Sequence, residues 1–498
     1  MKIKNLRWVV LSLIALVTII NYLDRGTLNY MFLVGQSHEF VVADAPVEGE
    51  YTVCLTSNDT YTFYDRNGEV ACTAAVSDPA MVVASNNTIT YKVNAGIAHD
   101  LGLVDPNLTV GEQDEQGKSV LSIITIFFMI AYGISQLVSG KIYDKIGTRK
   151  GFTLSAIIWG AADACTAFAS GKPSLIAFRM ALGLGEAGPW PGTVKSNAEW
   201  FPTKERALAQ GIFGAAASVG SILAPIIIPL LFIAFGWRVA FIVVGCLGIL
   251  WVLPWLFINK KAPKEHPWIT DEERTYILEG QPVADACADA AKPAGKSWGQ
   301  LLRDPRNYSL ILGRLFLDPI WWMFVTWLPI YLKQVFDLDI KQIASSAWVP
   351  YVGAAAGSII GGWFSGRLIR AGKSINFARK TAMVVGGVII IPAMVLAAQA
   401  TSATTAVICM AFVLGGFQFA MVNMQTLASD LHSGKTVGSL AGLGGVSAVL
   451  GTLIGMVLVP MITSGANWTL FFVMCGALVP LSLLAVFLCV KKIEPIED

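Results

Sequence analysis

Residues 178–206 read FRMALGLGEAGPWPGTVKSNAEWFPTKER, a mostly apolar, glycine-rich run that carries Arg179 and Glu186 where charges are costly. Inside an apolar span such charges are tolerated when they face one another or a wet cavity, so the run reads as a membrane helix lining a pathway. Seven residues separate Arg179 from Glu186, about two helical turns, which puts both on one helix face. Gly183, Gly185 and Gly188 permit close helix neighbours, and Pro189 and Pro191 bend the later half. Two readings of the charged pair stand at this point: a functional site, or a structural ion pair that locks helices together.

Composition sets the class. The chain has 498 residues, 54% of them hydrophobic and 14% charged, with a mean hydropathy of +0.60, values that point to an all-α integral membrane protein. The net charge of +2 carries no nucleic-acid signal, because the basic residues cluster at the ends of apolar segments. The eight cysteines show no metal-ligand spacing, so no metal is expected. No nucleophile, base and orienting group stand together either, which argues against an enzyme.

Working outward gives five segments. Residues 1–35 hold the first transmembrane helix, 36–118 an external insert, 119–258 transmembrane helices 2–6, 259–307 a cytoplasmic central loop, and 308–498 transmembrane helices 7–12. Twelve helices in two pseudo-symmetric halves of six follow. The insert carries thirteen acidic and three basic side chains and no membrane-length apolar span. Its runs 51–55, 61–64 and 89–93 favour strands, and Asp65-Arg66-Asn67-Gly68 is a turn signal, so a small β-rich unit is expected. A Cys54 to Cys72 disulfide would suit a hairpin of that size. Within the central loop, Thr270-Asp271-Glu272-Glu273 is a capping box, and 284–297 reads as a linker. Lys and Arg fall in alternate loops, which places both termini and the central loop in the cytoplasm and the insert outside.

At Gly140-Lys-Ile-Tyr-Asp144-Lys145-Ile-Gly147-Thr-Arg149-Lys150 the chain resembles the major facilitator superfamily, whose signature between the second and third helices is G-x-x-x-D-[RK]-x-G-x-[RK]-[RK]. The resemblance implies a gating role for Gly140, Asp144, Gly147 and Arg149. The corresponding loop of the second half, 362–380, keeps Arg367, Arg370 and Gly372 but has Gly366 in place of the aspartate. Three further stretches, Asn21-Tyr22-Leu23-Asp24-Arg25, the GLGEAG and EWFPTKERA of the opening run, and Ile269-Thr-Asp-Glu-Glu-Arg-Thr-Tyr276, are similar to the anion:cation symporters, the branch with hexuronate and D-galactonate/proton symporters and vesicular glutamate transporters. That likeness implies that Asp24, Arg25, Arg179 and Glu186 carry proton and organic anion, and that Tyr132 and Gln136 line the same cavity. The tenth helix departs from hexuronate transporters, reading Phe417-Gln-Phe-Ala-Met-Val-Asn423-Met-Gln425-Thr426 where those often have His and Trp.

The chemistry of the residues agrees. Guanidinium groups bind a carboxylate through two parallel hydrogen bonds and stay charged, so Arg25 and Arg179 read the anion without titrating. Asp24 and Glu186 are the titratable groups for proton coupling. Adjacent residues on a helix diverge by about 100°, so Asp24 and Arg25 cannot both face the cavity squarely. Asn423 and Gln425, neutral hydrogen-bonding groups in the second half, suit a hydroxylated tail. Lys195 near a helix end reads as snorkelling, Arg314 and Asp318 one turn apart read as mutual partners or substrate contacts, and Trp321, Trp322 and Trp327 as an interfacial belt or a sugar-stacking surface.

The reading is a monomeric secondary active transporter of the inner (plasma) membrane, without organic cofactor. It carries a monoanionic sugar acid (hexuronate, deoxy-keto uronate or aldonate) into the cell with H+ by alternating access. The rivals are a symporter or exchanger of another small organic anion, a receptor using the insert, and a drug exporter, which would favour isolated acids over two arginines.

Overall fold

The computed structural model describes residues 2–32, 34–41, 49–57, 60–64, 70–75, 81–85, 88–105, 110–279, 295–336, 346–463 and 468–496. Helix α1 (Leu6–Phe32) opens the chain. The orphan N–H groups of its first turn donate to Glu273, from Leu6 at 2.9 Å and Arg7 at 3.2 Å. Glu273 therefore completes only half of the expected capping box: its own N–H donates to Thr270 Oγ1 at 3.3 Å, while its carboxylate serves the start of another helix.

Six strands follow α1: β1 (Val34–Val41), β2 (Gly49–Ser57), β3 (Thr60–Tyr64), β4 (Val70–Ala75), β5 (Met81–Ser85) and β6 (Thr88–Ala95). They form one antiparallel sheet in the order β1-β6-β5-β2-β3-β4. This register corrects the expected Cys54 to Cys72 bridge. Cys54 pairs with Thr62 and Cys72 with Phe63, so β3 lies between the two cysteines. Two inter-strand steps are about 9.5 Å, beyond the ~7 Å of Cα separation that a disulfide spans. The turn signal at 65–68 and most of the 284–297 linker lie outside the described residues.

The short helix α2 (Ile97–Asp100) returns the chain, and Asp100 accepts from Trp237 Nε1 at 2.7 Å and Arg238 Nη1 at 2.9 Å. Helix α3 (Val110–Thr166) starts inside the segment the sequence assigns to the insert. Glu112, Gln113, Glu115 and Gln116 are good helix formers, and acids in a first turn complement the helix dipole, so polarity there does not mean irregular structure. Helices α4 (Lys172–Glu186), α5 (Pro189–Trp200), α6 (Thr203–Leu250) and α7 (Val252–Ile258) complete the first half. The membrane helix read in the opening run is thus two helices, broken before Pro189, which occupies the first turn of α5. Both α3 and α6 contain one sharp break, at Gly147 (φ 81°) and Gly236 (φ 75°), a left-handed backbone that a side chain would strain.

Helices α8 (Asp271–Glu279) and α9 (Trp298–Arg303) lie in the connection between halves. The second half comprises α10 (Tyr308–Phe336), α11 (Val349–Arg370), α12 (Ile375–Ala398), α13 (Ala403–Gln425), α14 (Leu427–Leu431), α15 (Val437–Ile462) and α16 (Thr469–Cys489). Among the described residues, eight helical stretches are long and apolar enough to cross a membrane. Ile134, Ile233, Leu253, Val388, Val457 and Leu488 are exposed on the bundle, an apolar surface that suits lipid.

The halves meet along α3 with α15 and α6 with α11. A Cβ at Gly140 would stand 2.2 Å from Gly438 O, so only glycine lets α3 and α15 touch there. Between α6 and α11, Ser358 Oγ donates to Gly211 O at 2.7 Å. Such small-residue contacts are how helices associate where water supplies no hydrophobic drive.

Candidate substrate and proton site

Neighbouring positions on α1 diverge, and the structure shows where each goes. Arg25 points between the halves and forks onto one oxygen of Glu186 from α4, with Nε at 3.0 Å and Nη2 at 2.9 Å from Oε2. Glu186 is fully buried, and its Oε1 has no hydrogen-bond partner among the described residues. Four rings surround the Arg25 guanidinium: Tyr22 at 5.1 Å, Tyr132 at 5.2 Å, Trp322 at 5.7 Å and Phe128 at 5.8 Å. Trp322 comes from α10, so both halves contribute to this cage. Cation–π contact and ion pairing together hold the guanidinium in place.

Asp24 turns the other way, into the first half. It is fully buried, as is Asp163 from the later part of α3, and it feels the charge of Asp163. All four oxygens of the two carboxyls lack a donor among the described residues. Arg179 is buried against the same region, its guanidinium 5.3 Å from the Phe241 ring and its charge acting on both aspartates and on Glu186. Arg25 and Arg179, both expected to read the anion, therefore stand in different settings. Arg25 occupies the seam between halves, and Arg179 belongs to the interior of the first half, because the turn from residue 24 to 25 sends their acidic partners to different faces. Asp163 was missed in the sequence, although the signal was there: it is the one charged residue in the apolar run 151–170.

Of the other sequence candidates, Gln136 is buried on α3 against Gly442 and Gly445 of α15. Gln425 lines a small cavity between the halves together with Trp190, Val194, Leu310, Arg314 and Ala441. Its Oε1 accepts from Gln210 Nε2 at 2.6 Å, and Gln210 Oε1 accepts from Asn197 Nδ2 at 2.9 Å, an amide chain crossing from the first half to the second. Asn423 does not join it. Its Nδ2 donates to Gly361 O at 3.1 Å and Phe419 O at 3.0 Å, so its amide secures α13 to α11; two positions along a helix reverse the facing direction. Arg314 and Asp318 pair with each other, Nε to Oδ2 at 2.9 Å and Nη2 to Oδ1 at 3.1 Å, at the cavity edge.

One end of the bundle is tied shut between the halves. Asp144 Oδ1 accepts from Lys195 Nζ and Gly438 N, both at 3.0 Å, and Oδ2 from Ser439 N and Oγ, both at 2.6 Å. It caps the start of α15 from the partner half. Lys195, expected to snorkel, is buried in this contact because an acid lies within its reach. Gly147 supplies the break that follows on α3, and Arg149 Nη2 donates to Leu256 O at 3.3 Å. In the second half, where Gly366 replaces the motif aspartate, Arg379 pairs with Asp430 at 2.8 Å and donates to Thr203 O at 3.0 Å. Asp430 on α14 therefore supplies the acid that the repeat has lost.

A helical bundle in two halves, locked at one end and holding buried ion pairs at its centre, has the anatomy of a carrier. The Major Facilitator Superfamily model matches residues 79–377, and the chain belongs to that superfamily of membrane transporters; it is not an enzyme. It is 30% identical to the hexuronate transporter of Escherichia coli (strain K12) over 76% of this chain and 86% of that protein. Against the galacturonate transporter of Dickeya chrysanthemi identity is 34% over 51% of this chain and 73% of the relative. The probable galactarate/D-glucarate transporter GarP of Escherichia coli (strain K12) is 31% identical over 72% and 84%.

Proposed function

We propose that this transporter is a proton-coupled symporter that brings a monoanionic sugar acid, a hexuronate, deoxy-keto uronate or aldonate, into the cell. The observation that carries the reading is the Arg25–Glu186 pair inside an aromatic cage built by both halves. While Glu186 is ionised it occupies the guanidinium. Protonation of Glu186 removes that competitor, and the freed fork takes the substrate carboxylate through two charge-assisted hydrogen bonds. Proton and anion then bind together, which is the coupling. Tyr22, Tyr132 and Trp322 offer faces to the pyranose carbons, and Gln425 offers an amide to hydroxyls once it leaves Gln210. Relatives named for hexuronate and galacturonate transport support this substrate class.

In this reading the chain crosses the plasma membrane twelve times. Dividing α3 and α6 at their glycine breaks turns the eight apolar stretches into ten, and α4 with α5, and α11, supply the other two. The Asp144 end, rich in Lys and Arg, faces the cytoplasm with both termini, and the sheet lies outside. The carrier works as a monomer in the bilayer, needs no organic cofactor, and alternates by rocking one half against the other.

Uptake of labelled uronates, aldonates, deoxy-keto acids and the matching neutral sugars into proteoliposomes, with and without a proton gradient, tests the proposal. Sugar acids should accumulate only with the gradient, and neutral sugars should neither enter nor compete. Equal competition by a neutral sugar, or accumulation indifferent to the gradient, would refute it. Preference for a small non-sugar anion would favour the rival organic-anion carrier.

A further inference from the structure

Three buried amides from three helices are joined end to end across the seam between the halves. Asn197 Nδ2 on α5 donates to Gln210 Oε1 on α6 at 2.9 Å, and Gln210 Nε2 donates to Gln425 Oε1 on α13 at 2.6 Å. Each of the three residues is at most 7% exposed. Side-chain amides in proteins mostly bond backbone or water, so two amide–amide bonds in series ask for a reason. Stability is a poor one. Asn197 Oδ1, at the open end of the chain, has no partner among the described residues, and apolar side chains of the same size would join these helices without an orphaned acceptor.

Position supplies a better reason. Gln425 stands at the wall of the small cavity between the halves, to which α5 contributes Trp190, Pro191 and Val194. Lys195, which holds Asp144, and then Asn197 follow on the same helix. Gln210 lies seven residues into α6 from Thr203, about two turns in from the contact of Thr203 O with Arg379 of the other half. The amide chain is therefore on the Asp144 side of the cavity, and its Gln210–Gln425 bond joins the halves one layer inside the tied end. Parting the halves at that end breaks it.

Gln425 Oε1 is an acceptor, and the N–H that Gln210 gives it is a group that a substrate hydroxyl can replace; a keto oxygen or a bare methylene brings no donor and cannot. We propose that Asn197, Gln210 and Gln425 form an inner gate, opened when a hydroxyl of the sugar acid donates to Gln425 in place of Gln210. With such a substrate one hydrogen bond is traded for another, whereas an acid without that hydroxyl leaves the buried carbonyl of Gln425 unpaired. Arg25 admits the anion, and the hydroxyl then decides whether it is carried. Gln425 is the substrate contact; Gln210 and Asn197 act through it as positioning residues. The inference rests on the sugar-acid reading and adds to it a selection made at the translocation step.

The test compares a hexuronate with its monodeoxy analogues in proteoliposomes, for the wild type and for Gln210→Met, which has a side chain of similar length and no donor. In the wild type one analogue should compete with the uronate nearly as well as the uronate itself, yet be carried roughly two- to tenfold more slowly at saturation, the worth of one net hydrogen bond. Gln210→Met should bring the two saturating rates together while the competition constants keep their order; a role in packing alone would slow both acids alike. A rate difference that persists at full size in Gln210→Met, or a wild type that carries every monodeoxy analogue as fast as the uronate, overturns the gate and leaves the symport reading standing. A wild type that carries no sugar acid overturns that reading itself. If Gln210→Met carries nothing, a cysteine at Ala441 with Gln210 intact decides. The uronate should speed its labelling by an impermeant maleimide from the Asp144 side, and the slow analogue should not; equal acceleration by both sinks the gate.

Discussion

Arg25 and Arg179 are the same residue type in the same half of the molecule, and their surroundings give them different tasks. Arg25 sits at the seam, 14% exposed in its side chain, with aromatic rings from both halves; Arg179 is buried in the interior against the Phe241 ring. Replacing Arg25 with Lys keeps the charge and loses the planar fork. A charge-assisted hydrogen bond contributes about 1.5–3 kcal/mol, so the apparent affinity for uronate should weaken by roughly tenfold to a hundredfold. Measured half-saturation that stays at the wild-type value would remove Arg25 from the anion site. Glu186→Gln makes a different prediction, since it abolishes the titration and frees Arg25 permanently. Gradient-driven accumulation should collapse, exchange should survive, and anion affinity should lose its pH dependence; uphill uptake at normal rates would place the coupling proton elsewhere. At this scale the sequence was generous with Asp24, Arg25, Arg179 and Glu186, because charges in apolar runs announce themselves. It was silent on pairing, because whether Arg25 or Arg179 meets Glu186 depends on the rotation of α1 against α4, which only packing sets.

Elements add what single residues cannot. The signature loop was legible at once, but the partners of Asp144 were not: Lys195, Gly438 and Ser439 lie far along the chain and come together only because α3 and α15 touch at Gly140 and Gly438. The contacts of Asn423 Nδ2 were hidden for a related reason, since membership of an apolar helix does not reveal which neighbour a face meets. Asp144→Asn removes the charge that Lys195 neutralises and weakens the cap on α15. Loss of a cap costs about 1–2 kcal/mol, enough to shift a two-state equilibrium by roughly five- to thirtyfold toward the form opened at that end. A cysteine at Ala441, beside the cavity, should then react faster with an impermeant maleimide applied from the Asp144 side. Equal labelling rates in the variant and its parent would mean the contact does not hold that end closed.

Across the whole molecule, hydropathy and basic loops were enough to expect a membrane bundle of two halves. They were weakest at the boundaries, where α3 begins inside an acidic stretch and where glycine breaks join helices end to end. The sheet between α1 and α3 has a feature that makes its role easy to test. Val41 and Thr88 are partners at the end of the β1–β6 ladder, so residues 42–87 can be replaced by a two-residue Asn-Gly turn that leaves this hairpin intact. The shortened carrier should reach the membrane and retain uronate uptake, since the helices form the pathway without it. Full loss of uptake by a variant that is present in the membrane would make the sheet part of the substrate route.

The contact at Asp144 also bears on speed. Four donors converge on two oxygens, three of them from the start of α15, so parting the halves at that end breaks several charge-assisted hydrogen bonds. Breaking that set costs enthalpy, and where it limits the stroke the barrier carries that cost. Turnover should therefore slow steeply on cooling, with an Arrhenius slope that flattens when the Ser439 hydroxyl is removed.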